Sequence, residues 1–215
     1  MALALIYQGE LALEKSEFTN AENLFLSALT IMEEQKVWFH HSLLLMRLAQ
    51  TRLKEKTEAK KTLELLNLAQ KIATKESFYD ILSEIHFTKA EQILSKFDKQ
   101  LTSTLRNKLA KKLAFALTEA LTQALFYNCF TLDKYFQKSL QILSHLDTMG
   151  YSDQSSIIRN QLRHAWINNI IDTIPLYQTE NTKRTEELKF SLCSSLSILN
   201  VLNNTLENLS YTNLV

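Results

Sequence analysis

Five histidines are the side chains best suited to acid–base or metal chemistry in this chain: His40, His41, His86, His145 and His164. None stands four residues from another, so no helical pair of imidazoles can share a metal, and His-Glu-x-x-His is absent. His40 and His41 are neighbours, which on a helix point about 100° apart, and beside Trp38 and Phe39 they read as helix-surface or helix-end imidazoles. Cys129 and Cys193 belong to no Cys-x-x-Cys pair. A nucleophilic thiol needs a base and a lowered pKa. Cys193 lies in the apolar stretch from Phe190 to Leu196, and Cys129, beside Asn128 at a helix end, has no base near it in sequence. The carboxylate pairs Glu33-Glu34 and Glu186-Glu187 lie close to Lys36, Lys183 and Arg184, so solvation or ion pairing accounts for them. No catalytic residue, metal or cofactor is expected.

Basic residues gather once, where Arg106, Lys108, Lys111 and Lys112 share one side of a helix near Phe115. A nucleic-acid stripe could be built there, but 24 Lys/Arg against 23 Asp/Glu leave a formal charge of +1, which argues against a nucleic-acid partner. The same helix needs its apolar face for a core, so no membrane contact is expected.

These residues must be carried by helices. The 215 residues include two glycines and one proline, so Gly-rich phosphate loops, dinucleotide fingerprints and Gly-x-Ser-x-Gly elbows cannot be written, and β-sandwich turns lack their residues. With 46% apolar and 22% charged residues, a packed core is expected. Two cysteines and a first helix that meets Gln8, Glu10 and Glu14 fit neither a disulfide scaffold nor a signal peptide. The expected compartment is the cytoplasm.

Helical periodicity recurs over 2–15, 18–34, 37–55, 57–75, 77–97, 101–128, 131–148, 153–172 and 184–209. In the sixth segment Leu105, Leu109, Leu113, Ala116, Leu117, Ala120, Leu121, Ala124 and Leu125 form one apolar stripe. Ser16 and Thr57 are placed to cap the following helices, Gly150 to end one, and Ser152 or Asp153 to begin the next. Pro175 and its polar neighbours mark a loop. The expected organisation is a helical array over 1–172, a loop over 173–183, and a capping helix and tail over 184–215.

A repeat underlies the array. Gly9-x-x-Ala12 followed by Phe18, Ala21, Phe25, Ala28 and Leu29 resembles a tetratricopeptide (TPR) unit. Gly9 is expected to meet Ala21, with Phe25 and Ala28 facing the next unit. Ala49, Thr62, Leu66 and Ala69 repeat the pattern about 41 residues on, and Tyr135 to Leu143 resembles another second helix. The closing proline of the family is missing, with Glu33 near its place, and the spacing is nearer 40 than 34. Either 101–128 or 131–148 could close the third pair.

The resemblance implies an all-α, right-handed superhelix of antiparallel helix pairs, about nine helices in all. Its concave groove, lined by the first helix of each pair, would bind another protein, as a peptide or partner helix. By the repeat spacing the groove residues would be Tyr7, Glu10, Leu13, Arg47, Thr51 and Lys54, then Phe87, Thr88 and Glu91. The family's carboxylate clamp for chaperone C-termini is not matched: its positions hold Ile6, Glu10, Leu44, Arg47 and Leu48, of which Arg47 alone fits. The implied function is a scaffold or adaptor, including one subunit of a larger assembly. The alternatives are a ligand- or peptide-sensing segment of a signalling or transcription-control protein, and nucleic-acid binding through Arg106–Lys112.

Overall fold

The computed structural model describes residues 1–56, 59–98, 100–127 and 129–179. They form eight helices: α1 (Ala2–Glu14), α2 (Phe18–Glu34), α3 (Trp38–Glu55), α4 (Ala59–Lys75), α5 (Tyr79–Leu94), α6 (Ser103–Tyr127), α7 (Cys129–Thr148) and α8 (Ser152–Thr179). No strand occurs among the described residues. The helix expected at 184–209 lies outside them. The helix expected to stop at 172 continues to Thr179. Pro175 lacks an amide donor, and one missing backbone bond does not by itself end a helix.

The chain divides into two compact units, Met1–Gln92 and Ile93–Val215. In the first, α1 packs on α2, α2 on α3 and α3 on α4. One core joins Ile6, Ala12 and Leu13 of α1 to Ala21, Phe25, Ala28 and Met32 of α2 and to Leu44 and Leu48 of α3. The next joins Leu45, Met46 and Ala49 of α3 to Leu66, Ala69 and Ala73 of α4 and to Ile81, Leu82 and Ile85 of α5. The buried positions of α2 recur in α4 at a spacing of 41: Ala21 and Thr62, Phe25 and Leu66, Ala28 and Ala69, Met32 and Ala73. In the second unit α6, α7 and α8 pack against one another. The α6 stripe is buried from Leu113 to Ala124, but Leu105 at its start is 42% exposed.

The close approach in the first pair differs from expectation. A Cβ at Gly9 would lie 2.5 Å from Cε1 of Phe25 and 2.7 Å from its Cδ1. The atoms nearest to that position all belong to the Phe25 ring. Two turns of helix are too short to carry Phe25 away from its own pair, so its ring serves α1 while also joining the core that reaches Leu44 and Leu48.

The links explain how so many helices end with so little glycine. Ser16, Lys36, Lys56 and Ser77 take left-handed φ values of 62°, 54°, 60° and 57°, and Gly150 takes 83°. Beyond each fully described link the next amide reaches back five residues. Glu17 N donates to Ala12 O at 2.9 Å, Val37 N to Met32 O at 3.0 Å, Phe78 N to Ala73 O at 2.9 Å and Tyr151 N to Leu146 O at 2.9 Å. These are Schellman caps, which satisfy the last carbonyls of each helix. Ser16 therefore ends α1 rather than capping α2, whose N-cap is Glu17, with no side-chain bond to the helix's free amides. Gly150 ends α7 as its φ permits. Thr57 lies outside the described residues.

Candidate functional site

The first unit carries a polar ladder across alternate helices. From α3, the Arg47 guanidinium donates to the Glu10 carboxylate of α1 and, at 2.7 Å, to Oε1 of Gln50. The Gln50 amide then donates to Glu84 Oε1 at 3.1 Å and to Thr88 Oγ1 at 3.0 Å, both on α5. Arg47 also stands 4.0 Å from Glu84. Arg47 and Glu10 keep 26% and 31% of their side-chain exposure, and Glu84 16%, so the charged members lie near the surface while Thr88 is buried. Charge-assisted bonds of this kind fix side-chain geometry more firmly than neutral ones.

Helix register explains the assembly. Glu10, Arg47 and Glu84 are spaced by 37 residues, whereas α2 and α4 are related by 41. The difference of four is about one helical turn, so either spacing keeps the same face and only the position along the helix changes. A 41-residue step puts Thr51 and Lys54 level with Glu10 and Leu13. Packing instead sets Arg47 beside Glu10. Gln50 and Glu84 were missed for this reason, although the 37-residue recurrence of charged residues was available as a signal.

The nine expected groove residues separate by burial. Tyr7 is 74% exposed, Lys54 and Glu91 are exposed, and Glu10 and Arg47 are half-buried in the ladder. Leu13, Thr51, Phe87 and Thr88 are buried, at 7%, 0%, 3% and 0% exposure. Leu13 belongs to the first core, and the Thr51 hydroxyl donates to the Arg47 carbonyl one turn earlier. An apolar face wider than 100° captures such residues because each helix packs on neighbours at both sides. These four side chains lie within the fold and not on its surface.

Beside the ladder runs a second chain of polar contacts. Lys89 donates to Asn67 Oδ1 at 2.9 Å and to Gln70 Oε1. With that oxygen occupied, the Gln70 amide faces Nε2 of His86 at 3.3 Å, and the bond requires His86 to accept. Burial, with Lys89 nearby, lowers the His86 pKa to about 4, so the imidazole is neutral and its proton sits on Nδ1. Burial also lowers the Lys89 pKa. Among the described residues no cluster of three or more His, Cys, Asp or Glu could hold a metal ion. No described helix is long and apolar enough to cross a membrane.

The basic run of α6 is split by the fold. The Arg106 guanidinium lies 5.7 Å from the ring centre of Tyr151 and its Nε is buried, while Lys108, Lys111 and Lys112 remain exposed. Phe115 beside them is 65% exposed. Comparison with protein-family models, with curated proteins and with solved structures finds no match for this chain.

Proposed function

We propose that this chain is a TPR-like interaction module whose first helical unit binds a peptide or partner helix on the wall formed by α1, α3 and α5. One observation carries the proposal: the ladder from Glu10 through Arg47 and Gln50 to Glu84 and Thr88 lies on alternate helices. In a helix-pair array these first helices build the concave side. The 41-residue recurrence of small and large buried residues in α2 and α4 supports the same architecture. A wall whose own side chains are already bonded into position spares a bound segment much of the ordering cost of binding. Tyr7, exposed one turn before Glu10, supplies the aromatic contact that such sites favour.

Co-purification followed by titration tests this. Tyr7→Ala should weaken the captured partner by about tenfold or more, since an aromatic anchor typically contributes about 2 kcal/mol, while helicity and melting stay unchanged. Lys111→Ala and Lys112→Ala should bind as the parent does. If the lysine variants abolish binding and Tyr7→Ala does not, the α6 surface is the site. That second reading is favoured by the exposure of Lys108, Lys111, Lys112 and Phe115 together, and it would suit an acidic or nucleic-acid partner. Turning Arg106 inward leaves it with three cations, a small number against the six to ten phosphate contacts of a typical binder.

A further inference from the structure

In the first unit, α3 and α5 each bury one face against the helix before them, and α1 leaves the same face open. The 37-residue register that sets Glu10 beside Arg47, and Arg47 near Glu84, makes Tyr7, Leu44 and Ile81 equivalent, and likewise Leu11, Leu48 and Ile85. Leu44 and Leu48 are 0% and 1% exposed, in a core shared with Ala21, Phe25, Ala28 and Met32 of α2. Ile81 and Ile85 are 2% and 0% exposed, in a core shared with Leu66, Ala69 and Ala73 of α4. Their counterparts Tyr7 and Leu11 are 74% and 52% exposed, and Leu3, one turn earlier, is 50% exposed. The three stand four residues apart, so they form one row along the helix.

A cation marks the edge of each of these contacts. Lys15, Arg52 and Lys89 recur at the same spacing. Arg52 donates to Glu22 Oε1 of α2, from Nε at 2.9 Å and from Nη2 at 2.6 Å. Lys89 donates to Asn67 and Gln70 of α4. Lys15 is exposed, and its ammonium has no side-chain partner among the described residues. Both the apolar row and the cation of α1 thus lack what a preceding helix supplies to α3 and α5. Helix-pair arrays need a polar outer face on the terminal unit to stay soluble, and Leu3, Tyr7 and Leu11 do not make one. We propose that the row of Leu3, Tyr7, Leu11 and Lys15 docks an amphipathic helix of another protein. That helix carries alanines among larger apolar residues on its inner face, and a Glu, Asn or Gln at its edge for Lys15. The two internal equivalents prescribe this chemistry. Within this unit α2 and α4 already carry α3 and α5, so a second folded copy has neither of them to offer.

The probe is a fluorescent peptide of the α2 sequence, Phe18–Glu34, held helical by a lactam bridge between positions 23 and 27, which are exposed in the chain. Titrated with the full chain, it should bind saturably. Leu11→Lys should weaken it about tenfold or more, with helicity unchanged because Leu11 lies at the surface. Lys15→Glu should weaken it about threefold. A peptide carrying Glu22→Lys should recover that loss on the Lys15→Glu chain and on no other, which a general loss of structure would not produce. Tyr7 borders the polar ladder and is left in place, so the outcome does not depend on peptide binding at the wall. Absence of saturable binding, or binding indifferent to Leu11→Lys, would overturn the proposal. Sedimentation of the chain alone examines the other occupant: a dimer that Leu11→Lys disperses would assign the face to a second copy and overturn it equally.

Discussion

Replacing Gly9 with alanine tests the packing of the first helix pair at a single atom. Two effects oppose each other. Alanine in place of glycine within a helix stabilises by about 1 kcal/mol, because glycine loses more backbone freedom on folding. Against this, the new methyl would sit 2.5 Å from Cε1, 2.7 Å from Cδ1 and 3.0 Å from Cζ of Phe25. Carbon atoms pack at about 3.5–4.0 Å, so the ring must withdraw by about 1 Å. Phe25 is fully buried between α1 and α3, and close-packed interiors offer little room for that movement. Overpacking of this kind costs about 1–3 kcal/mol. The expected net result is a loss of up to about 2 kcal/mol. Phe25→Leu shortens the side chain over Gly9 and reverses the sign: in that background Gly9→Ala should stabilise by up to about 1 kcal/mol. The coupling between the two positions should therefore be about 2 kcal/mol, well above the error for independent sites. Urea denaturation followed by Trp38 fluorescence, with Trp166→Phe as the common background, reports the unit that contains α1. If Gly9→Ala stabilises the chain with Phe25 intact, the ring does not lie over Gly9 and the packing described for α1 and α2 is wrong.

The left-handed links make a second prediction: Ser16→Gly, Lys36→Gly and Ser77→Gly should each raise stability by about 0.5–1 kcal/mol in urea, since a side chain is strained at these φ values. A loss at any of them would mean that its Schellman cap does not form. Acid should weaken the first unit through His86. Its folded pKa of about 4 lies below the ordinary imidazole value of 6.5, so above pH 6.5 the group is neutral in both states and contributes no pH dependence. As the pH falls from 6.5 towards 4 the unfolded chain takes up the proton first, and stability drops by about 3 kcal/mol in total. His86→Gln should remove that part of the slope, and an unchanged slope would show that His86 is not held neutral. Arg47→Ala should destabilise by about 1–2 kcal/mol through its bonds to Glu10 and Gln50, with much of the effect absent in a Glu10→Gln background. Additive losses would refute the ladder.

Glu10, Arg47 and Glu84 show where the sequence sufficed and where it did not. That Glu10 and Arg47 would lie on the same side of successive first helices was expected from the repeat spacing, whereas Glu84 was not among the expected residues. The all-helical content followed equally from local chemistry: few glycines, one proline and uninterrupted periodicity leave no other regular structure. The buried pattern of α2 and α4 was visible at its 41-residue spacing, since Ala21, Phe25 and Ala28 find close counterparts in Thr62, Leu66 and Ala69. The axial register of α1, α3 and α5 was not visible. A slide of four residues keeps the face nearly unchanged and alters only which side chains stand level, so packing against α2 and α4 decided that Arg47 meets Glu10 and Gln50 meets Glu84. The same holds for Ser16, whose side chain suits a cap but whose backbone the Schellman bonds hold in the left-handed form. Arg106 was legible as part of a basic run, and only the turn that brings Tyr151 beneath it took it out of that run. Local sequence sets helix phase and charge, because both depend on residues within a turn or two. Register, and the company that buried polar atoms keep, depend on contacts between residues 34 to 47 positions apart, which only the folded chain brings together.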